Sequence, residues 1–257
     1  MKWPKELLLI RHAESAYNIL KAKKEADPEY LRFRELFDTN RLNPVTQALG
    51  LVLNERYWLG ISDRDTPLTP RGIEQARTTG RKMRESEAHC PEIIFVSPYF
   101  RTKETLRHII EEWPELAGAR VIEDERIREQ DHGLALLYSD WRIYQVMNPD
   151  QGKLHTLLGD YDYRYLNGEN IPDVRLRNLS WIATLIREFA GKRVLTMTHH
   201  LTILATRANF ERLSPERFKD LDENEKPVTC GVTRYIGNPD AGTQGKLELK
   251  EYNRKHY

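Results

Sequence analysis

Short apolar runs separated by long amphipathic stretches set the rhythm of this sequence. Leu7-Leu8-Leu9-Ile10 is continuous rather than alternating and ends in a polar cluster; Ile93-Ile94-Phe95-Val96 repeats the pattern, and Val194-Leu195-Thr196-Met197 comes close to it. Such runs mark strands buried on both faces, as in a parallel sheet. Helical spacing occupies the intervals. Thr69 and Pro70 supply an N-cap and a first-turn proline for a helix whose Ile73, Ala76, Gly80 and Met83 share one face. Residues 101–112 look helical until Trp113-Pro114 stop them, and an apolar stripe runs at helical intervals from Val174 to Phe189. Val232–Ile236 and Leu247–Tyr252 predict two further strands. Strands alternating with helices predict an α/β fold, a three-layer sandwich with a mostly parallel central sheet and helices on both faces.

Two segments, about 19–62 and 134–168, interrupt this scheme. The first opens with Lys21, Lys23, Lys24 and Glu25, which read as a solvated helix face. Asp27-Pro28 and Asn43-Pro44 then each supply a cap and a first-turn proline for a helix. The second segment is rich in Tyr, Asp and Gly. Both are expected as insertions packed beside one domain spanning residues 1–257. There is no internal repeat and no low-complexity tract.

Composition narrows the classes. Apolar residues make up 39% and charged residues 31%, enough core to exclude disorder throughout. Forty Lys and Arg against 39 Asp and Glu leave a formal charge of +1, which disfavours nucleic acid as a partner while permitting a local basic pocket. No apolar run approaches the roughly 20 residues that span a bilayer, and Arg11 interrupts the N-terminal run too early for a secretory signal. A cytoplasmic location with no membrane partner follows as the expectation, with Cys90 and Cys230 as free thiols. Nothing in the pattern specifies an oligomeric state.

The chemistry gathers at strand ends. Arg11-His12 follow the first strand, Ser97 to Arg101 the second, and Thr198-His199-His200 the third. In open α/β sheets ligands bind beyond the carboxyl ends of the strands. Three ends thus deliver cationic or imidazole groups to one rim, a pocket for a dianion. Arg101 at the start of a helix opposes the helix dipole unless an anion sits there, because phosphate attracts both the guanidinium and the N-terminal N–H groups. No Cys/His cluster has metal-ligand spacing and no P-loop is present, so neither a metal nor another cofactor is expected.

Leu9-Ile10-Arg11-His12-Ala13-Glu14-Ser15-Ala16-Tyr17-Asn18 resembles the opening signature of the histidine phosphatase superfamily, the phosphoglycerate-mutase-like clan. Asp65 to Ala76, Ser97 to Thr102, Glu129 to Gly133, Asn167 to Arg177 and Thr198-His199 resemble its later blocks in the expected order. Departures are Ala13 and His200, where the family usually has Gly. The resemblance implies that His12 attacks phosphorus as a neutral imidazole and becomes a phosphohistidine. Arg11, Arg101 and an imidazolium at His199 would surround the phosphoryl oxygens. Glu129 would protonate the leaving oxygen and then take a proton from water, which calls for a raised pKa. Glu125 and Asp131 compete for that role. Ser15, Asn18 and His200 would add contacts to the substrate, although Glu14 and Ser15 also suit helix capping, and Glu169 reads as a structural partner. His89, His108, His132 and His155 read as ordinary surface or loop histidines.

The function implied is hydrolysis of a phosphomonoester, either a small phosphometabolite or a phosphoprotein, with the insertions roofing the pocket and setting selectivity. Two rivals remain: a phosphoglycerate-type mutase, disfavoured because little after Asn18 resembles the mutase-specific stretch, and a non-catalytic phosphate-binding or interaction module on the same fold.

Overall fold

The computed structural model describes residues 2–86 and 89–257. Its strands are β1 (Glu6–Arg11), β2 (Ile93–Val96), β3 (Arg120–Glu123), β4 (Arg193–Thr198), β5 (Val232–Asn238) and β6 (Lys246–Arg254). Its helices are α1 (Ala16–Glu25), α2 (Pro28–Asn40), α3 (Pro44–Tyr57), α4 (Pro70–Ser86), α5 (Phe100–Glu112), α6 (Trp141–Met147), α7 (Pro149–Asp162), α8 (Ile171–Glu188), α9 (His200–Glu211) and α10 (Pro215–Asn224). The fold is α/β. The chain forms two compact units, one of Met1–Ser15, Arg64–Glu129 and Asp173–Tyr257, the other of Ala16–Asp63 and Gln130–Pro172.

The first unit holds a six-stranded sheet in the order β3-β2-β4-β1-β5-β6. The pairs β3·β2, β2·β4 and β4·β1 are parallel, whereas β5 pairs antiparallel with both β1 and β6. Side chains of a strand alternate between faces, and the continuous apolar run of β1 is explained by that alternation. Leu8 and Ile10 join Ala76 and Met83 of α4 and Leu106 and Ile109 of α5 on one face. Leu7 and Leu9 join Trp181, Ile182 and Leu185 of α8 and Ile203 of α9 on the other. Each such buried side chain is worth about 1.5–3 kcal/mol relative to leaving it in water.

The caps follow the sequence. Thr69 Oγ1 accepts from Gly72 N at 2.9 Å, Asp27 Oδ1 from Glu29 N at 2.8 Å and Asn43 Oδ1 from Val45 N at 2.9 Å. The sequence pattern does not reveal β3, which lies at the sheet edge and shows no apolar run; the helix expected after the Val194–Met197 run is α9, with Ile203, Leu204, Ala205 and Ala208 buried.

The second unit has its own core of Tyr30, Phe33, Phe37, Leu53, Ile143 and Val146. Within it the expectation of a solvated lysine run is corrected at Lys24. That side chain is buried, its Nζ lies 2.7 Å from Asp140 Oδ2, and Tyr30 OH donates to the same oxygen at 2.6 Å. The pairing shields an ammonium that burial would otherwise destabilise by several kcal/mol. Two histidines also depart from the surface reading. His108 is buried on α5 with Nδ1 2.8 Å from Glu111 Oε2, and His155 stacks on Trp141 with ring centroids 5.3 Å apart. Among the described residues no helix is long and apolar enough to cross a membrane.

Candidate active site

Three adjacent parallel strands build the site. Arg11 ends β1 directly opposite Thr198, which ends β4, and Val96 at the end of β2 lies opposite Met197. His12 N donates to Thr198 O at 3.0 Å and Ser97 N to Met197 O at 3.0 Å, so the ladder continues one residue beyond each strand. That register brings His12, Ser97 and His199 to one rim. The next turn of chain after β2 opens α5 and contributes Arg101.

His12 is 3% exposed. Its Nδ1 lies 2.7 Å from Ala13 O, and its Nε2 lies 3.2 Å from Arg101 Nε. A carbonyl only accepts and a guanidinium only donates. The contacts therefore define one tautomer, with the proton on Nδ1 and the lone pair on Nε2. Burial, then Arg101 and Arg11, hold the imidazole pKa well below its usual value, so the ring is neutral at pH 7. Ala13, in place of the usual Gly, has no positive φ, and its methyl is fully buried.

His199 lies beside it, ring centroids 5.3 Å apart. Arg101 Nη2 approaches His199 Nδ1 at 3.4 Å, and Ser97 Oγ lies 2.7 Å from Nε2. Burial and then Arg101 hold the His199 pKa well below its usual value, which favours the neutral imidazole. Arg101 itself is buried, its guanidinium 4.8 Å from the Tyr99 ring centroid. Arg11 Nη1 donates to Pro227 O at 2.7 Å, while its buried Nε has no hydrogen-bond partner among the described residues. Burial is the largest influence on Arg11 and lowers its pKa, and the charge of Glu129 is the largest influence in the other direction.

Residues 126–129 are fastened in place. Thr198 Oγ1 donates to Ile127 O at 2.6 Å and Thr202 Oγ1 to Arg128 O at 2.5 Å. Arg177 donates to Arg126 O at 2.8 Å and to Glu129 O at 3.0 Å. The Glu129 carboxylate accepts from Leu201 N at 3.2 Å, in the first turn of α9. Glu125, by contrast, is exposed and paired with Arg64 at 3.4 Å, and Asp131 Oδ1 closes a turn by accepting from Gly133 N at 2.8 Å.

The structure thus brings together Arg11, His12, Arg101, Glu129 and His199 in the first unit. Ser15 is buried in the same unit and bridges to Leu68. His200 turns its Nε2 to Asp222 Oδ1 at 2.6 Å on α10. Asn18 lies on α1 of the second unit. Cys90 and Cys230 are both free, and burial pushes the Cys230 thiol up to about 12, which leaves it unreactive. Among the described residues no group of three or more His, Cys, Asp or Glu side chains is arranged to hold a metal.

The profile of the histidine phosphatase superfamily, branch 1, matches residues 54–239, more than half of the chain. The chain belongs to the histidine phosphatase superfamily. The matched span contains Arg101, Glu129 and His199; Arg11 and His12 precede it and reach it through the β1·β4 ladder. Among curated relatives, phosphoglycerate mutase-like protein AT74H of Arabidopsis thaliana is 28% identical over 72% of this chain, and the match spans 54% of that longer protein. A 2,3-bisphosphoglycerate-dependent phosphoglycerate mutase of Methylobacterium radiotolerans is 29% identical over 73% of this chain and 86% of its own length. Among solved structures, a mycobacterial glucosyl-3-phosphoglycerate phosphatase bound to VO3 superposes with a TM-score of 0.61 at 18% identity, covering 97% of this chain and 99% of that one. The last likeness is one of fold.

Ser97 and Thr198 fall inside the resembling blocks without a role assigned to them there, and Thr202 lies outside those blocks. Ser97, Thr198 and Thr202 look like ordinary strand and helix residues in sequence. Their roles arise only because β2, β4 and α9 converge on one rim.

Proposed function

We propose that this chain is a phosphomonoester hydrolase that works through a phosphohistidine on Nε2 of His12. The observation that carries the reading is the defined tautomer of a buried, neutral His12, whose lone pair faces the guanidinium of Arg101. Arg101 would swing its donors from the ring to the phosphoryl oxygens as substrate enters. The Nε of Arg11, which has no hydrogen-bond partner among the described residues, is a buried donor suited to the same oxygens. His199 gains a reason to become protonated once a dianion offsets the charge of Arg101.

In the first step Nε2 attacks phosphorus, the phosphorus–oxygen bond to the leaving group breaks, and Glu129 gives that oxygen its proton. In the second, Glu129 takes a proton from water, the resulting hydroxide attacks phosphorus, and the nitrogen–phosphorus bond breaks to release inorganic phosphate. Charge spread over three oxygens is met by two guanidinium groups and an imidazole. The substrate is a small phosphometabolite or a phosphorylated protein side chain. Relatives named as mutases favour a second reading, in which a substrate hydroxyl replaces water in the second step.

The two readings separate in one experiment. Purified protein, with and without chelator, is given p-nitrophenyl phosphate and a panel of phosphometabolites. Phosphate release that is abolished in His12→Ala supports the hydrolase. Interconversion of 3- and 2-phosphoglycerate faster than phosphate appears establishes the mutase instead. Wild-type turnover in His12→Ala removes both.

A further inference from the structure

The carbonyl that holds the His12 proton belongs to the peptide between Ala13 and Glu14. The N–H of that same peptide donates to Gln75 Oε1 at 3.0 Å. One planar amide therefore accepts from His12 Nδ1 on one edge and donates to Gln75 on the other. Gln75 lies on α4, one turn after Gly72, and is 4% exposed.

The seating of α4 explains why the amide of Gln75 arrives there. Thr69 N donates to Glu14 O at 3.0 Å, and Thr69 Oγ1 donates to Glu14 Oε1 at 2.8 Å. A Cβ on Gly72 would fall 2.0 Å from Glu14 O, so the helix rests directly on the backbone of residue 14. The neighbouring peptide is fixed separately, because Ala13 N donates to Thr105 Oγ1 at 3.0 Å. Two peptides after the nucleophile are each tied to a side chain from a different helix.

We infer that Gln75 is a positioning residue for the nucleophile, acting through the 13–14 peptide to hold the His12 proton on Nδ1 and the lone pair on Nε2. The inference rests on the reading of His12 as nucleophile. Hydrogen bonds in a chain through an amide polarise one another, so an acceptor at Gln75 Oε1 strengthens the pull of Ala13 O on the Nδ1 proton. The arrangement does for this imidazole what a buried carboxylate does for a catalytic histidine elsewhere, with a peptide unit interposed. No other part of Gln75 is required to touch substrate.

The test uses the full chain with 15N-labelled histidine. Nitrogen shifts of His12 report the tautomer without any need for turnover, so a failure of the hydrolase reading and a failure of this inference are distinguishable. Gln75→Met keeps the length of the side chain and removes the acceptor. Its expected result is loss of the single Nδ1–H form, with kcat/KM for p-nitrophenyl phosphate down about 10- to 100-fold. A wild-type tautomer and wild-type kcat/KM in folded Gln75→Met overturn the inference. Gln75→Glu keeps an acceptor and adds charge. It is expected to retain the Nδ1–H form and to raise the pH at which His12 titrates, against the opposing field of Arg11, Arg101 and His200 and beside His199. An unchanged His12 titration in Gln75→Glu also overturns it, and that variant serves alone if Gln75→Met does not fold.

Discussion

Arg101 Nε donates to the lone pair of His12 Nε2 across 3.2 Å, so the group expected to bind phosphate also occupies the atom expected to attack it. Arg101 is also the second-largest cause, after burial, of the lowered His12 pKa. Arg101→Met should therefore have two separable effects. Loss of a preorganised donor should lower kcat about 10²- to 10³-fold. Removal of the cation should raise the His12 pKa and move the acidic limb of kcat/KM to higher pH, since that limb reports the free enzyme. A pH–rate profile with p-nitrophenyl phosphate measures both; a fall in rate without a moved limb contradicts the electrostatic part.

His12 and His199 give folding a pH dependence of known sign. Both have folded pKa values depressed well below the ordinary 6.5. Above 6.5 neither state takes up a proton and their contribution to stability is intact. As pH falls through 6.5 the unfolded chain binds protons first, so stability declines and keeps declining until the folded values are reached. Denaturation in urea between pH 8 and pH 5 should show this fall, and His199→Asn should flatten it. A slope unchanged by that substitution would exclude His199 as a source.

Gly72 tests the seat of α4. The Cβ of alanine would meet Glu14 O at 2.0 Å, and both atoms sit on backbone that is hydrogen-bonded on either side. Gly72→Ala is expected to cost about 3 kcal/mol or more. Gly118→Ala, where nothing lies within 4 Å of the added atom, should stay within about 0.5 kcal/mol of wild type. Paired thermal melts check the contrast.

Leaving-group dependence tests Glu129. With p-nitrophenyl phosphate, whose leaving group departs as a stable anion, Glu129→Gln should keep most of the rate of the first step, read as the burst of p-nitrophenol, while steady turnover falls because the second step has lost its base. With an alkyl phosphate the first step itself should slow about 10²- to 10⁴-fold, the range that general acid catalysis supplies. Equal first-step losses on both substrates would assign the leaving-group proton elsewhere.

In the second unit, Lys24→Met takes from the buried carboxylate of Asp140 the ammonium that chiefly lowers its pKa and leaves it Tyr30 OH, Arg142 N and the more distant Arg142 guanidinium. A cost of about 3–5 kcal/mol is expected, partly recovered when Asp140→Leu is added. Denaturant midpoints of the single and double variants measure it.

Much of the first unit was legible in sequence because its strands are buried on both faces and carry no competing periodicity. Leu7–Ile10 and Ile93–Val96 announce themselves, and the polar residues that end them sit at the rim that matters. The expected Thr69, Asp27 and Asn43 caps appear with their hydrogen bonds, since capping depends on three or four neighbouring residues alone. What was illegible depends on approach between distant segments. The burial of His199 beside Arg101, which lowers its pKa, has no signal in the residues around it. His200 remains open in sequence, and Asp222, 22 residues on, settles where its ring goes. Lys24 looks solvated because nothing near it in sequence resembles its partner Asp140.

The register of β1 against β4 has a consequence for how activity can be read. Shifting β1 by one residue would exchange the two faces of Leu7–Ile10 and carry residues 11 and 12 away from residues 198 and 199. A chain so misthreaded could remain compact and retain its helices, yet the imidazole of His12, the proposed nucleophile, would face the wrong layer. Turnover per molecule therefore doubles as a gauge of strand alignment, sensitive to a slip that circular dichroism would overlook.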